Sequence, residues 1–154
     1  MKNNVKTERK GRKHNKTQKG GLKKKYTIRT ISNTKIVQNF IQMLNTVKLY
    51  HWRTHSFPQH KATDELYDRL NDNIDKFVEI LLGKDESRIR MTEKNIELIN
   101  ASNLSDIKEQ MYAYREFLID LSDTFNAKRD SDLLNVRDEI LGNINQFLYL
   151  LTLH

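Results

Sequence analysis

The chain has 154 residues, enough for one domain with a single core. It has no cysteine, which excludes disulfides, thiolate metal sites, iron–sulfur clusters and a cysteine nucleophile, so any metal must be held by nitrogen and oxygen. The formal charge of +7 is unevenly spread: residues 1–29 carry twelve Lys or Arg against Glu8 alone, a net of +11, while the remaining 125 residues carry fifteen bases and nineteen acids, a net of −4.

Residues 1–30 mix Lys, Arg, Asn, Thr and Gly with almost nothing to bury, and are expected to form a disordered basic tail ahead of a folded domain over 31–154. Such a tail is read as solubilising, as a nuclear-import sequence, or as an electrostatic arm whose cations each neutralise a phosphate without reading sequence. For the last reading the contacts are Lys10, Arg12, Lys13, Lys16, Lys19, Lys23, Lys24 and Lys25, and the partner is DNA bound through residues 2–29. Tyr26 alone in the tail could stack on a base, which speaks against a dedicated single-strand platform. Gly20-Gly21 reads as a hinge or as a processing site. The head lacks the apolar stretch of a secretory signal, and no apolar run approaches the roughly 20 residues of a membrane span. An intracellular protein that is neither secreted nor bound to a membrane is expected.

From Ser32 onward apolar residues recur three and four apart and no strand pattern competes. A first helix is predicted over about Asn33 to Arg53, with Ile36, Phe40, Met43, Leu44, Val47 and Tyr50 on one stripe and a cap among Ser32, Asn33 and Thr34. "HSFPQH" breaks it, and Pro58 suits the first turn of a second helix that buries Leu66, Leu70, Ile74, Phe77 and Leu81 and ends near Leu82 and Gly83. Residues 84–103 are polar and irregular, with room for a short helix, and long enough to cross the end of a bundle. A third helix is predicted over about Ser105 to Phe125, burying Ile107, Met111, Tyr114, Leu118 and Leu121. A fourth, about Ser131 to Leu153, buries Leu134, Ile140, Ile144, Phe147, Leu148 and Leu151. The expected fold is all-α: a ferritin-like four-helix bundle with a long crossover between the second and third helices.

The chemistry gathers at the first corner, where "LYHWRTHSFPQHKATDELYDRL" holds three of the five histidines. At about 100° per residue, and with Asp64 as zero, His60 lies near −40°, Asp75 near +20° and Glu79 near +60°, so the four share a stripe. Asp64 and Asp75 are about 16 Å apart along the axis, beyond the span of one ion. Two copies packed antiparallel about a two-fold axis near Leu70 would bring His60 and Asp64 of one chain to Asp75 and Glu79 of the other, which predicts a homodimer with two equivalent sites. His51 reaches the same region through the loop. Imidazole and carboxylate donors suit Fe(II), with Mn(II) or Zn(II) as alternatives. The competing interpretation of this stripe is a solvated charged face. His55 reads as a loop residue, and His14 and His154 lie at the chain ends.

His51-Trp52, Phe57, "HKATD" from His60 to Asp64 and "DKFVE" from Asp75 to Glu79 resemble the Dps family, the DNA-protecting mini-ferritins of the ferritin-like superfamily, and in particular its divergent members from large DNA viruses. The resemblance implies a ferroxidase centre between two-fold related subunits, with His51, His60 and Asp64 from one chain and Asp75 and Glu79 from its mate. It further implies oxidation of Fe(II) by hydrogen peroxide or oxygen, ferric storage in a shell of up to twelve subunits, Trp52 as an acceptor of oxidising equivalents, and DNA protection in oxidative stress. A viral origin would place the protein in the virion, the host nucleus or the cytoplasm. The sequence departs from the family in a His51-to-His60 stretch three residues short and without glycine, which leaves His51 or His55 as the additional ligand. No Glu-x-x-His occurs, so the intra-bundle site of larger ferritins is not expected. The alternative function is a non-catalytic DNA-binding or virion-packaging protein on the same bundle.

Overall fold

The computed structural model describes residues 30–91 and 95–153. The basic tail, with Lys10 through Lys25, and the terminal histidines His14 and His154 lie outside the described residues. Four helices make up the fold, α1 (Asn33–Arg53), α2 (Phe57–Gly83), α3 (Leu104–Thr124) and α4 (Ser131–Leu150), with no strand among the described residues. None of these helices is long and apolar enough to cross a membrane.

Local chemistry sets the ends of each helix. Ser32 caps α1, its Oγ accepting from the Lys35 N–H at 3.3 Å, and Asn103 caps α3, accepting from the Ser105 and Asp106 N–H groups. Pro58 occupies the first turn of α2, where its missing N–H costs nothing. Among the described residues of the 84–103 segment there is a turn but no helix, and from it Ile99 and Ala101 pack onto the core. Glu86, just beyond α2, has the left-handed φ of 56° that turns the chain away from the helix axis.

The core is continuous through all four helices. Phe40 and Phe77 meet edge to face at 5.2 Å, and each reaches a third ring, Phe117 at 5.8 Å and Phe125 at 5.9 Å respectively. Every expected core position of α1 to α3 is buried except Leu44, which is half-covered. In α4 the buried stripe opens with Leu133 and Val136, and Leu134 is only half-buried; the helix stops at Leu150, and Leu151 is buried in its cap. Leu133 stands seven residues before Ile140 and so in phase with the stripe, whereas Leu134, six before it, is turned about 120° away at roughly 100° per residue. Buried Arg137 ties α4 to α3 by donating from Nη1 to the Leu118 carbonyl and the Ser122 hydroxyl, each at 2.8 Å.

The helices are neighbours in the cyclic order α1, α2, α4, α3. Lys84 at the end of α2 pairs with Asp130 and Asp132 at the start of α4, at 3.0 and 3.2 Å, and Arg69 donates to Gln146 far along α4, so these two helices are antiparallel. The Asn126 N–H and then the Lys84 ammonium hold the Asp130 carboxyl below the usual carboxylate range. The Ile31 N–H donates to Thr124 Oγ1, and Arg53 bonds Asn100, so the start of α1 lies beside the end of α3 and its end lies beside the residues that lead into α3.

Candidate metal centre

The corner between α1 and α2 is only three residues long, and polar side chains close it. Gln59 Oε1 accepts from the Tyr50 hydroxyl at 2.7 Å and from the Thr54 hydroxyl at 2.9 Å, while the Ser56 N–H donates to Thr54 Oγ1. Burial pushes the Tyr50 phenol above its ordinary pKa, which keeps it a neutral donor. With the loop fixed in this way, the last turn of α1 faces the first turn of α2, and His51 meets His60.

The two imidazoles stack, with centroids 3.8 Å apart and planes 25° from parallel. Nδ1 of His51 lies 3.1 Å from the carbonyl oxygen of His60, and Nδ1 of His60 lies 3.1 Å from the carbonyl oxygen of His51. A carbonyl can only accept, so each Nδ1 carries a proton and, in the neutral imidazole, Nε2 is the atom left with the lone pair. Thr63 Oγ1, buried one turn after His60, lies 3.3 Å from the same His51 Nδ1 and donates onward to the carbonyls of Gln59 and His60. Contacts of this kind fix ring orientation and tautomer where histidines bind a metal.

Asp64 lies beside His51. Its Oδ1 lies 3.9 Å from His51 Nε2, a separation that an ion held at roughly 2.0–2.2 Å from each atom can bridge. The same Oδ1 is 3.9 Å from Lys48 Nζ, and this ammonium stands 4.6 Å from the centre of the Tyr67 ring and 5.9 Å from that of Trp52. His51 is nearly enclosed at 7 % exposure, whereas Trp52 is 69 % exposed.

Of the expected ligands, His51, His60 and Asp64 are thus brought together. Asp75 and Glu79 stand exposed further along α2 and do not join them within one chain. Among the described residues no three His, Asp or Glu side chains form a group that could hold an ion by themselves. His55 is exposed in the loop, while His51 takes the inward position. Lys48, Thr63 and Tyr67 were not singled out by sequence; all three lie one helical turn from a candidate ligand, and that spacing was the only clue to them.

No curated protein and no solved structure matches the chain. One family model does, over residues 51–151, a stretch that begins at His51 and holds all five expected ligands but leaves out the tail and most of α1. That match spans more than half of the sequence, and the chain therefore belongs to DUF5856, a family of unknown function.

Proposed function

We propose that the protein is a Dps-like ferroxidase: it takes Fe(II) as substrate at a site shared by two chains, stores the ferric product and binds DNA through its basic tail. The observation that carries this reading is the reciprocal His51–His60 arrangement at one corner, with His51 Nε2 3.9 Å from Asp64 Oδ1. The helix order supports it too. With α2 antiparallel to α4 and α1 antiparallel to α3, residues 84–103 act as the long crossover of a ferritin-like bundle.

The missing ligands come from symmetry. His60 pairs with Glu79, and Asp64 with Asp75, about one shared midpoint between Arg69 and Leu70, so a two-fold axis there brings exposed Asp75 and Glu79 of a second copy to the half-site of the first. Nitrogen and oxygen donors of this kind suit Fe(II), and they also accept Mn(II) or Zn(II). In the reaction two ferrous ions each lose one electron to hydrogen peroxide, whose O–O bond breaks to give two hydroxides. His51, His60 and the carboxylates hold the ions, and Trp52 stands within reach of stray oxidising equivalents.

A second reading rests on the exposure of Asp75 and Glu79 in the single chain together with the charge of the tail: a non-catalytic DNA-binding or packaging protein whose polar stripe is a dimer seam. The two are separated by mixing anaerobic protein with Fe(II), adding peroxide, and following ferric absorbance in the near ultraviolet beside the Asp64→Asn variant. Fast oxidation in the native protein alone is expected. Equal, slow oxidation in both would discard the ferroxidase and leave the packaging protein.

A further inference from the structure

We propose that the outward face of α3 is the docking surface for residues 22–29 of the same chain, so that the base of the basic arm is held against the bundle. Of the other three helices, α3 packs against α4 and α1 alone. At about 100° per residue, and with Glu116 as zero, Glu109 lies near +20°, Asp120 near +40°, Asp123 near −20°, Tyr112 near −40° and Ile119 near −60°, while buried Leu118 lies near −160°. One arc about 100° wide therefore carries four exposed carboxylates and two exposed apolar side chains, Tyr112 and Ile119. Lys108 and Arg115, the two bases of α3, fall outside it.

Two observations name the occupant. The first is the path of the chain: the Ile31 N–H donates to Thr124 Oγ1 at 3.3 Å, so the chain enters the bundle at the foot of this face, beside Asp123. From Asp123 to Glu109 the face runs about 21 Å at 1.5 Å per residue, and eight residues of chain reach at most about 26–29 Å, so residues 22–29 are long enough to cover it. The second is complementarity. "LKKKYTIR" brings Lys23, Lys24, Lys25 and Arg29 to four carboxylates, and Leu22, Tyr26 and Ile28 to the two apolar side chains.

Exposed ion pairs are weak one at a time. A chain fixed at Ile31 presents its cations at an effective concentration on the order of millimolar, so several weak pairs add without two molecules having to meet. Among the described residues only Glu116 of the four acids has an ion-pair partner, Arg115 at 3.8 Å, whose guanidinium stands 5.0 Å from the centre of the Tyr112 ring at the rim of the face. On α2, the other acid-rich helix, Arg69 and Lys76 interrupt the carboxylates, and Lys76 pairs with Glu139 of α4. The docking is independent of the metal site. For an arm that binds DNA it is autoinhibitory, because Lys23, Lys24 and Lys25 must leave α3 before they meet a phosphate.

The test is limited trypsin digestion of the full-length protein, with the early cuts identified by mass. Cleavage of a segment that opens and closes quickly follows the population of its open form. At low salt, cuts after Lys23, Lys24 and Lys25 should be about tenfold slower in the native chain than in a variant combining Glu109→Gln, Glu116→Gln, Asp120→Asn and Asp123→Asn, with cuts after Lys10, Lys13, Lys16 and Lys19 as the internal standard. Circular dichroism confirms that the variant is folded, and added salt should bring the native rates up to those of the variant. Asp68→Asn with Asp72→Asn, on the exposed side of α2, should leave the protection in place. Equal rates at Lys23 to Lys25 in the native chain and the α3 variant would overturn the proposal, and so would an equal loss of protection in the α2 variant. Protection that rises with protein concentration would also overturn it, by giving the face to the tail of a second copy.

Discussion

His51 and His60 hold each other's backbone: each Nδ1 donates to the other's carbonyl oxygen at 3.1 Å, across a corner that joins two helices. Thr63 adds its hydroxyl to the His51 side of this clasp. Loss of such outer-shell partners lowers metal affinity by about 10–100-fold. Thr63→Val keeps the shape and removes the hydroxyl, and because the His60 carbonyl remains, a decrease near the lower end of that range is expected in a Co(II) titration. An unchanged isotherm would make Thr63 a packing residue only.

A shared site can be tested by complementation. Asp64→Asn and Glu79→Gln each disable every site in a dimer of identical chains. In a mixed dimer the two lesions fall in one site, and the other is fully native. Equal amounts of the two inactive variants, unfolded and refolded together, should regain about one quarter of native oxidation, since half the dimers are mixed and each has one working site. No recovery, with mixed dimers demonstrated by mass, would place all ligands within one chain.

Tyr114 and Thr46 form a buried hydrogen bond of 2.8 Å between α3 and α1. The Thr46 hydroxyl donates to the Gln42 carbonyl, so Tyr114 is the donor to Thr46. Burial raises the Tyr114 phenol above its ordinary value. A group whose folded pKa is raised contributes full stability below its unfolded pKa, and that contribution is lost as pH rises from about 10 through the folded value. Tyr114→Phe should cost about 0.5–1.5 kcal/mol at neutral pH and flatten the loss of stability in alkali, read from urea melts at a series of pH values. An alkaline slope identical to that of the native protein would assign the effect to another tyrosine.

Phe77 is fully buried and touches both Phe40 and Phe125. Phe77→Ala should lower stability by about 3–5 kcal/mol, measured by urea unfolding at fixed protein concentration. A loss below about 1 kcal/mol would mean the core closes over the gap.

Removal of residues 1–29 should abolish salt-sensitive DNA binding, followed by fluorescence anisotropy at several salt concentrations. For the intact protein the logarithm of affinity falls against that of salt with a slope of about −0.9 per phosphate neutralised. Retained affinity after truncation would move the contact onto the bundle.

Much of this was legible in the sequence, for identifiable reasons. The bounds of α1 were visible because an apolar stripe runs between a serine cap and a loop with a proline behind it, and the spacing of His60, Asp64, Asp75 and Glu79 needs only the helical period. The α4 stripe starts at Leu133 and not Leu134, as the helical period counted back seven residues from Ile140 requires. Lys48 and Tyr67 were missed for another reason: neither is a metal ligand, and their part in the site depends on where α1 lies against α2, which a pattern along one helix cannot specify.

The three-residue corner also orders events in time. Its clasp joins residues nine apart, whereas the bonds from α1 to α3 join residues 68 and 93 apart. Closing a loop of about ten residues takes on the order of 10–100 ns, and contacts of long sequence separation come later. A newly synthesised chain would therefore present its two imidazoles before its own bundle is complete, and well before diffusion brings a second chain. On the proposed reading, ligand assembly would begin as a local folding step and encounter between chains would finish it.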